Sequence, residues 1–142
     1  MSAVSERGAD QAPGGRPGLA LLIVDDSATM RAMVKRAATL SGVEIDGILE
    51  AGNGREALDV LEQHEIDAVF TDINMPVMNG VELLQRMADR GRWDRVLRVI
   101  ISTDGSEVRR QQVSGLNVSQ YVQKPVRPEA VCDVLSTLVS TR

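Results

Sequence analysis

The residues best suited to chemistry in this sequence stand at the ends of short apolar runs. Leu19–Val24 (LALLIV) leads into Asp25 and Asp26, and Ala68–Thr71 (AVFT) leads into Asp72. The run 96–101 (VLRVII) leads into Ser102 and Thr103, and 121–123 leads into Lys124. Gathered in one place, three carboxylates repel, and their pKa values rise unless positive charge intervenes. A hard divalent cation resolves the conflict. Magnesium takes oxygen ligands, keeps several waters, and typically uses one or two carboxylates together with a phosphate. Lys124 adds a second positive charge. One magnesium, one ammonium and one hydroxyl suit the three equatorial oxygens of a phosphoryl group in transfer. A carboxylate can then be the nucleophile and form an acyl phosphate. The chemistry by itself leaves open which acid attacks.

Such a site needs elements that bring the run ends together. Leu19–Val24 is continuously apolar and reads as a strand buried on both faces. After it, Asp26 or Ser27 can cap a helix in which Met30, Met33, Val34, Ala37 and Leu40 recur at helical spacing, ended by Ser41 and Gly42. A weaker strand at 45–49 precedes an Asn53-Gly54 cap and a short helix carrying Ala57, Leu58 and Leu61. Beyond Asp72, Pro76 and Gly80 punctuate a loop, and Val81, Leu83, Leu84, Met87 and Ala88 form a third helix stopped near Gly91. A fourth helix is predicted from Glu107 to about Ser114, and a fifth carries Ala130, Val131, Val134, Leu135 and Leu138. Five strands alternating with five helices imply an α/β fold: a parallel sheet with helices on both faces. Right-handed crossovers restrict its topology. In open parallel sheets, ligands bind at the carboxyl ends of the strands, where all of these polar residues fall.

Composition narrows the classes further. The chain has 142 residues, one domain's worth, with 43% apolar and 25% charged residues. A net charge of −4 argues against a nucleic-acid binder. Cys132 is the lone cysteine, so no internal disulfide forms, as suits a reducing cytosol. Residues 1–18 are rich in Gly, Pro, Ala, Ser and charge; they are expected to form a disordered tail, and they lack the apolar run of a secretory signal. No apolar run is long enough to span a bilayer. A cytoplasmic protein is expected, with residues 19–142 folded and no room for a second domain.

With these residues in place, the sequence resembles the receiver domains of two-component response regulators. The matching residues are Asp25-Asp26, the segment Thr71-Asp72-Ile73-Asn74-Met75-Pro76-Val77-Met78-Asn79-Gly80, then Ser102-Thr103, Tyr121 and Lys124-Pro125. The separations from Asp72 to Ser102 and from Ser102 to Lys124, and Thr29-Met30-Arg31 after the acidic pair, resemble chemotaxis regulators in particular. The resemblance covers about Leu19 to the C-terminus. It implies a flavodoxin-like (βα)5 sandwich of strand order 2-1-3-4-5 and a signalling switch rather than a conventional enzyme, catalysing its own phosphorylation and dephosphorylation. Asp72 would be the phosphoacceptor. Magnesium would be held by Asp26 directly, by Asp25 mainly through water, by Asp72, and by the backbone carbonyl of Asn74. Lys124 would pair with the acceptor and then with the phosphoryl group; Ser102 would move to bond the new oxygen, and Tyr121 would swing inward. The Lys124–Pro125 bond would be cis. The implied partners are a histidine kinase or histidine phosphotransfer protein as donor, and an effector reading the face formed by the fourth helix, fifth strand and fifth helix. Neither nucleic acid nor membrane is among them. A monomer is expected, with dimerisation on activation as the alternative.

Some residues depart from the family pattern. Ser102 replaces the commoner Thr but keeps the hydroxyl. Thr103 stands where relatives often carry Ala, which would restrict access to the phosphoryl group. Asn74 and Asp104 occupy positions that tune dephosphorylation in the family. Gly105 and Gly115 leave the fourth helix short or loosely specified. His64, in the charged stretch Glu62-Gln63-His64-Glu65, reads as a solvated helix end, Cys132 as inert, and Trp93 as packing. Two rival classes have specific marks against them. An aspartyl-nucleophile phosphohydrolase needs a substrate cap and a second Asp just beyond the nucleophile, where this chain has Ile73 and Asn74. A degenerate receiver acting only as an interaction module would not need the complete set of acids, hydroxyl and lysine.

Overall fold

The computed structural model of the chain describes residues 18–103 and 105–141. The expected tail, apart from Gly18, and Asp104 lie outside the described residues. Gly18 itself is buried.

Ten elements alternate along the chain. They are β1 (Leu19–Val24), α1 (Ala28–Thr39), β2 (Ile45–Ala51), α2 (Gly54–Gln63), β3 (Ala68–Thr71), α3 (Gly80–Arg90), β4 (Leu97–Ser102), α4 (Glu107–Gln112), β5 (Val118–Gln123) and α5 (Pro128–Thr141). The strands form one parallel sheet in the order β2-β1-β3-β4-β5, as the resemblance implied. The period-2 alternation of strand side chains splits the core in two. Leu19, Leu21, Ile23, Phe70, Val99 and Ile101 face α1 and α5; Leu22, Val24, Val69 and Ile100 face α2 and α3. β1 and β3 bury both faces, which is why they read as nearly unbroken apolar runs.

The helix stops and starts follow local chemistry. Ser27 caps α1 by accepting from the Met30 amide at 3.2 Å. Asn79 and Glu82 form a reciprocal capping box at α3, and Gly91 ends that helix at φ 69°. Differences from expectation fall at the sheet edges and on one helix face. β2 continues to Ala51 and β5 begins at Val118, both further than apolar content alone suggested. Edge strands are half covered, so their polar residues mask the strand signal. On α1 the buried residues are Val34, Ala37 and Ala38, whereas Leu40 is 71% exposed and Met33 is also exposed. The stripe facing the sheet is narrower than the apolar spacing implied.

Arg98 is a polar intruder in the core. On β4 it shares a face with Ile100 and Ser102, and it is 2% exposed. Its guanidinium donates to the carbonyl oxygens of Trp93 (2.9 Å) and Leu116 (3.1 Å), one in each loop at the amino end of β4 and β5. Burial lowers its pKa, and the nearby Asp94 charge pulls the other way.

Candidate functional site

The sheet registers fix where each strand end lies. The Asp72 amide donates to the Val24 carbonyl at 2.9 Å, continuing the ladder past β3 and setting Asp72 beside the end of β1. The Asp25 amide donates to the Ala51 carbonyl at 3.1 Å, pinning the acidic pair to the end of β2. Ser102 pairs with Gln123 across β4 and β5, and the Lys124 amide donates to the Ser102 carbonyl at 2.8 Å. Four strands therefore deliver their terminal polar residues to one rim.

At that rim the Lys124 Nζ donates to Asp25 Oδ2 at 2.9 Å and to Asp72 Oδ2 at 3.1 Å. The second oxygen of each acid is held by backbone: Asp25 Oδ1 accepts from the Ser27 amide at 2.9 Å, and Asp72 Oδ1 from the Ile73 amide at 2.7 Å. Asp25 and Asp72 are 6% and 8% exposed, and Asp26 is exposed. Burial of the Lys124 ammonium lowers its pKa, but hydrogen bonds to Asp25 and Asp72 and the charges of both acids outweigh that, and the net shift is upward.

Carboxylate oxygens of Asp25, Asp26 and Asp72 lie within 4.8 Å of one another. Three carboxylates against one ammonium leave a formal local charge of −2, which one divalent ion neutralises. An all-oxygen donor set with an exposed member suits a hard cation that retains waters. The residues present therefore fit magnesium.

Of the other expected residues, Ser102 ends β4 and Tyr121 lies within β5. Ser102 is fully buried at the end of β4 and Thr103 is exposed beyond it. Tyr121 is half-buried, with the Arg110 guanidinium 4.4 Å above its ring. The Lys124–Pro125 peptide is cis. Asn74 is exposed, and its Oδ1 accepts from Arg109 Nη2 at 2.9 Å. His64 is exposed at the C-cap of α2, and Trp93 is buried, with the guanidinium groups of Arg90 and Arg92 5.6 and 5.1 Å from its ring centre.

Three supports of the site were not singled out from sequence as such. Arg31 reaches back from α1, donating to the Asp25 carbonyl at 2.6 Å and to Glu50 Oε1 at 2.9 Å, so it braces the acidic pair against β2. Its place one turn into the helix after two acids is the available signal. Gly80 brings α3 against the loop after Asp72: its amide donates to the Ile73 carbonyl at 2.8 Å, and a Cβ there would lie 2.1 Å from the Asp72 carbonyl oxygen. The intervening loop is stitched by Gly54, whose amide donates to the Met78 carbonyl at 2.9 Å. Arg109 is the third; it lies 35 positions from Asn74, and no local pattern links the two.

Comparison with known proteins agrees with this fold. Residues 21–136 match the family model described as the response regulator receiver domain. The chain is 34% identical over 122 residues to a Campylobacter jejuni chemotaxis protein CheY homolog, covering 85% of this chain and 92% of the relative. It is 33% identical over 122 residues to the Helicobacter pylori chemotaxis protein CheY1, covering 85% and 97%. Among solved structures, Vibrio cholerae CheY4 superposes with a TM-score of 0.76 at 27% identity, covering 85% of this chain and 98% of that one. With its strand order and its matched span, the chain belongs to the response regulator receiver domain family, and it is similar to the chemotaxis proteins within it.

Proposed function

We propose that this chain is a phosphorylation-controlled switch whose residues 19–142 act as a receiver domain, with Asp72 as the phosphoacceptor. The observation that carries the proposal is the Lys124 ammonium bridging Asp25 and Asp72 at 2.9 and 3.1 Å, with Asp26 beside them. Asp72 suits the nucleophile's role because the Ile73 amide holds one oxygen and orients the carboxylate. In the transfer, a carboxylate oxygen of Asp72 bonds to phosphorus while the phosphorus–nitrogen bond of a phosphohistidine donor breaks, and the imidazole leaves with the electron pair. Lys124 offsets charge on the transferred oxygens. Magnesium, held by Asp25, Asp26, Asp72 and the Asn74 backbone carbonyl, supplies further neutralisation when bound.

The product carries a dianionic group beside Ser102, whose hydroxyl can donate a charge-assisted hydrogen bond to it. Drawing Ser102 and the end of β4 toward the phosphoryl group biases a two-state surface formed by α4, β5 and α5, with Tyr121 turning inward. Thr103, Asn74 and Asp104 would set how quickly water reverses the reaction. The donor is a histidine kinase or histidine phosphotransfer protein in the cytoplasm, and the output is binding of an effector protein to the α4-β5-α5 face. The chain would act as a monomer, with dimerisation on activation as the alternative. No helix among the described residues is long and apolar enough to cross a membrane.

The test is incubation of the full chain with magnesium and acetyl phosphate, followed by mass mapping of the label. A hydroxylamine-labile phosphoryl group on Asp72, absent from Asp72→Asn and from magnesium-free reactions, is expected. Label elsewhere, or none from acetyl phosphate or any kinase donor, overturns the assignment.

A further inference from the structure

Helix α4 is held unlike its neighbours. α1, α2 and α3 each bury at least three residues, whereas none of the six residues of α4 is buried. Its body is tied down by two consecutive arginines pointing to different places. The Arg110 guanidinium lies over Tyr121. The Arg109 guanidinium is braced within the helix by Gln112 Oε1 at 2.8 Å, and its Nη2 donates across to Asn74 Oδ1 at 2.9 Å. Asn74 stands two residues beyond Asp72. A guanidinium has donors and no acceptor, so the amide of Asn74 must turn its oxygen, not its nitrogen, toward α4.

We propose that Arg109 is a positioning residue that lengthens the life of the acyl phosphate by holding the Asn74 amide oxygen toward α4. The proposal rests on the phosphoacceptor role given to Asp72. Hydrolysis requires a water oxygen to bond to phosphorus as the phosphorus–oxygen bond to Asp72 breaks, yielding a free carboxylate and inorganic phosphate, with the water's proton passing to solvent. An acceptor close to the attacking water speeds this step by orienting it. Asn74 cannot take the proton, but its amide oxygen can align the water. While Arg109 holds that oxygen toward α4, the other side of the amide presents N–H donors, which cannot accept a hydrogen bond from an attacking water. Removing the guanidinium releases the oxygen.

The experiment follows loss of acyl phosphate on a phosphate-affinity gel after acetyl phosphate is removed, using the full chain in magnesium. Arg109→Ala is expected to shorten the half-life roughly fivefold, the scale of one net hydrogen bond. Arg109→Lys, which keeps a donor, should restore part of the loss. In an Asn74→Ala background, Arg109→Ala should change nothing further. In the unphosphorylated, metal-free protein, the Asn74 side-chain amide resonances should move in Arg109→Ala while backbone amides of β3 and β4 keep their shifts. An unchanged or longer half-life in Arg109→Ala overturns the inference, as does an equal shortening in the Asn74→Ala background, which would report loosening of α4 alone. If the unsubstituted chain never acquires label on Asp72, the phosphoacceptor assignment itself has failed.

Discussion

Replacing Gly80 by alanine puts one methyl group where the first turn of α3 meets the loop that follows Asp72. The added Cβ would lie 2.1 Å from the Asp72 carbonyl oxygen, 2.9 Å from the Ile73 Cα and 3.0 Å from the Asp72 carbonyl carbon. All three are backbone atoms, so no rotamer change relieves the overlap. Ordinary non-bonded separations are about 3.5 Å, so helix and loop must part by roughly 1.4 Å at the closest contact. Overpacking of this kind costs about 1–3 kcal/mol. The parting also breaks or stretches the 2.8 Å bond from the Gly80 amide to the Ile73 carbonyl, at a cost of about 1–3 kcal/mol if the partners stay buried. Alanine's better helix propensity returns at most about 1 kcal/mol. The net loss is therefore about 1–6 kcal/mol with a middle value of about 3 kcal/mol, a fall in Tm of roughly 10 °C for a domain of this size. Urea unfolding followed by fluorescence of the buried Trp93 measures it. Gly91→Ala is the internal control: Gly91 has φ 69° but nothing within 4 Å of an added Cβ, so only backbone strain of about 1–2 kcal/mol applies. If Gly80→Ala loses less than Gly91→Ala, the steric reasoning at the Asp72 loop is refuted.

Three further outcomes follow from the site and its loop. Because the folded Lys124 pKa is raised, its contribution is fully present below the ordinary value of 10.5 and is lost as pH climbs through the raised value; in EDTA, the stability gap between the unsubstituted chain and Lys124→Met should narrow only above that pH, and a gap that closes in the neutral range refutes this. Magnesium at ten times its Kd should stabilise the domain by about 1.4 kcal/mol, and Asp26→Asn should abolish the shift seen by calorimetry. Val77 sits at φ 68° in a γ-turn closed by the Met78 amide and the Pro76 carbonyl at 2.7 Å, with its side chain 81% exposed. Val77→Gly should therefore gain about 1 kcal/mol, as relief of left-handed strain exceeds the added chain entropy; a loss of stability in thermal melts would contradict it.

Much of the fold was legible because strands β1 and β3 have no polar face. Leu19–Val24 and Ala68–Thr71 are apolar at every position save their ends, so the acids that follow mark the rim directly. Edge strands were read less well: Val118, Ser119 and Gln120 look like loop because β5 is only half covered. The site residues Asp25, Asp26, Asp72, Ser102 and Lys124 were legible because each ends a strand of a parallel sheet, and register does the gathering. Arg109 and Gly80 were not, for a shared reason. What they do depends on how close helices come to loops far away in sequence, and neither a helical arginine nor a glycine at a helix start announces its neighbour. Nothing in VLRVII marks Arg98 as buried, yet its two terminal nitrogens donate to loop carbonyls inside the core while its Nε finds no partner among the described residues.

That buried guanidinium has a consequence for how the sheet can move. By gripping the chain on either side of β4 at the end remote from Asp72, Arg98 acts as a pin through the floor of the molecule. A tug on Ser102 would then work against a strand anchored at its amino end. Trp93 is buried and tied to that anchored end, away from Ser102, which suits the single tryptophan to report unfolding rather than signalling.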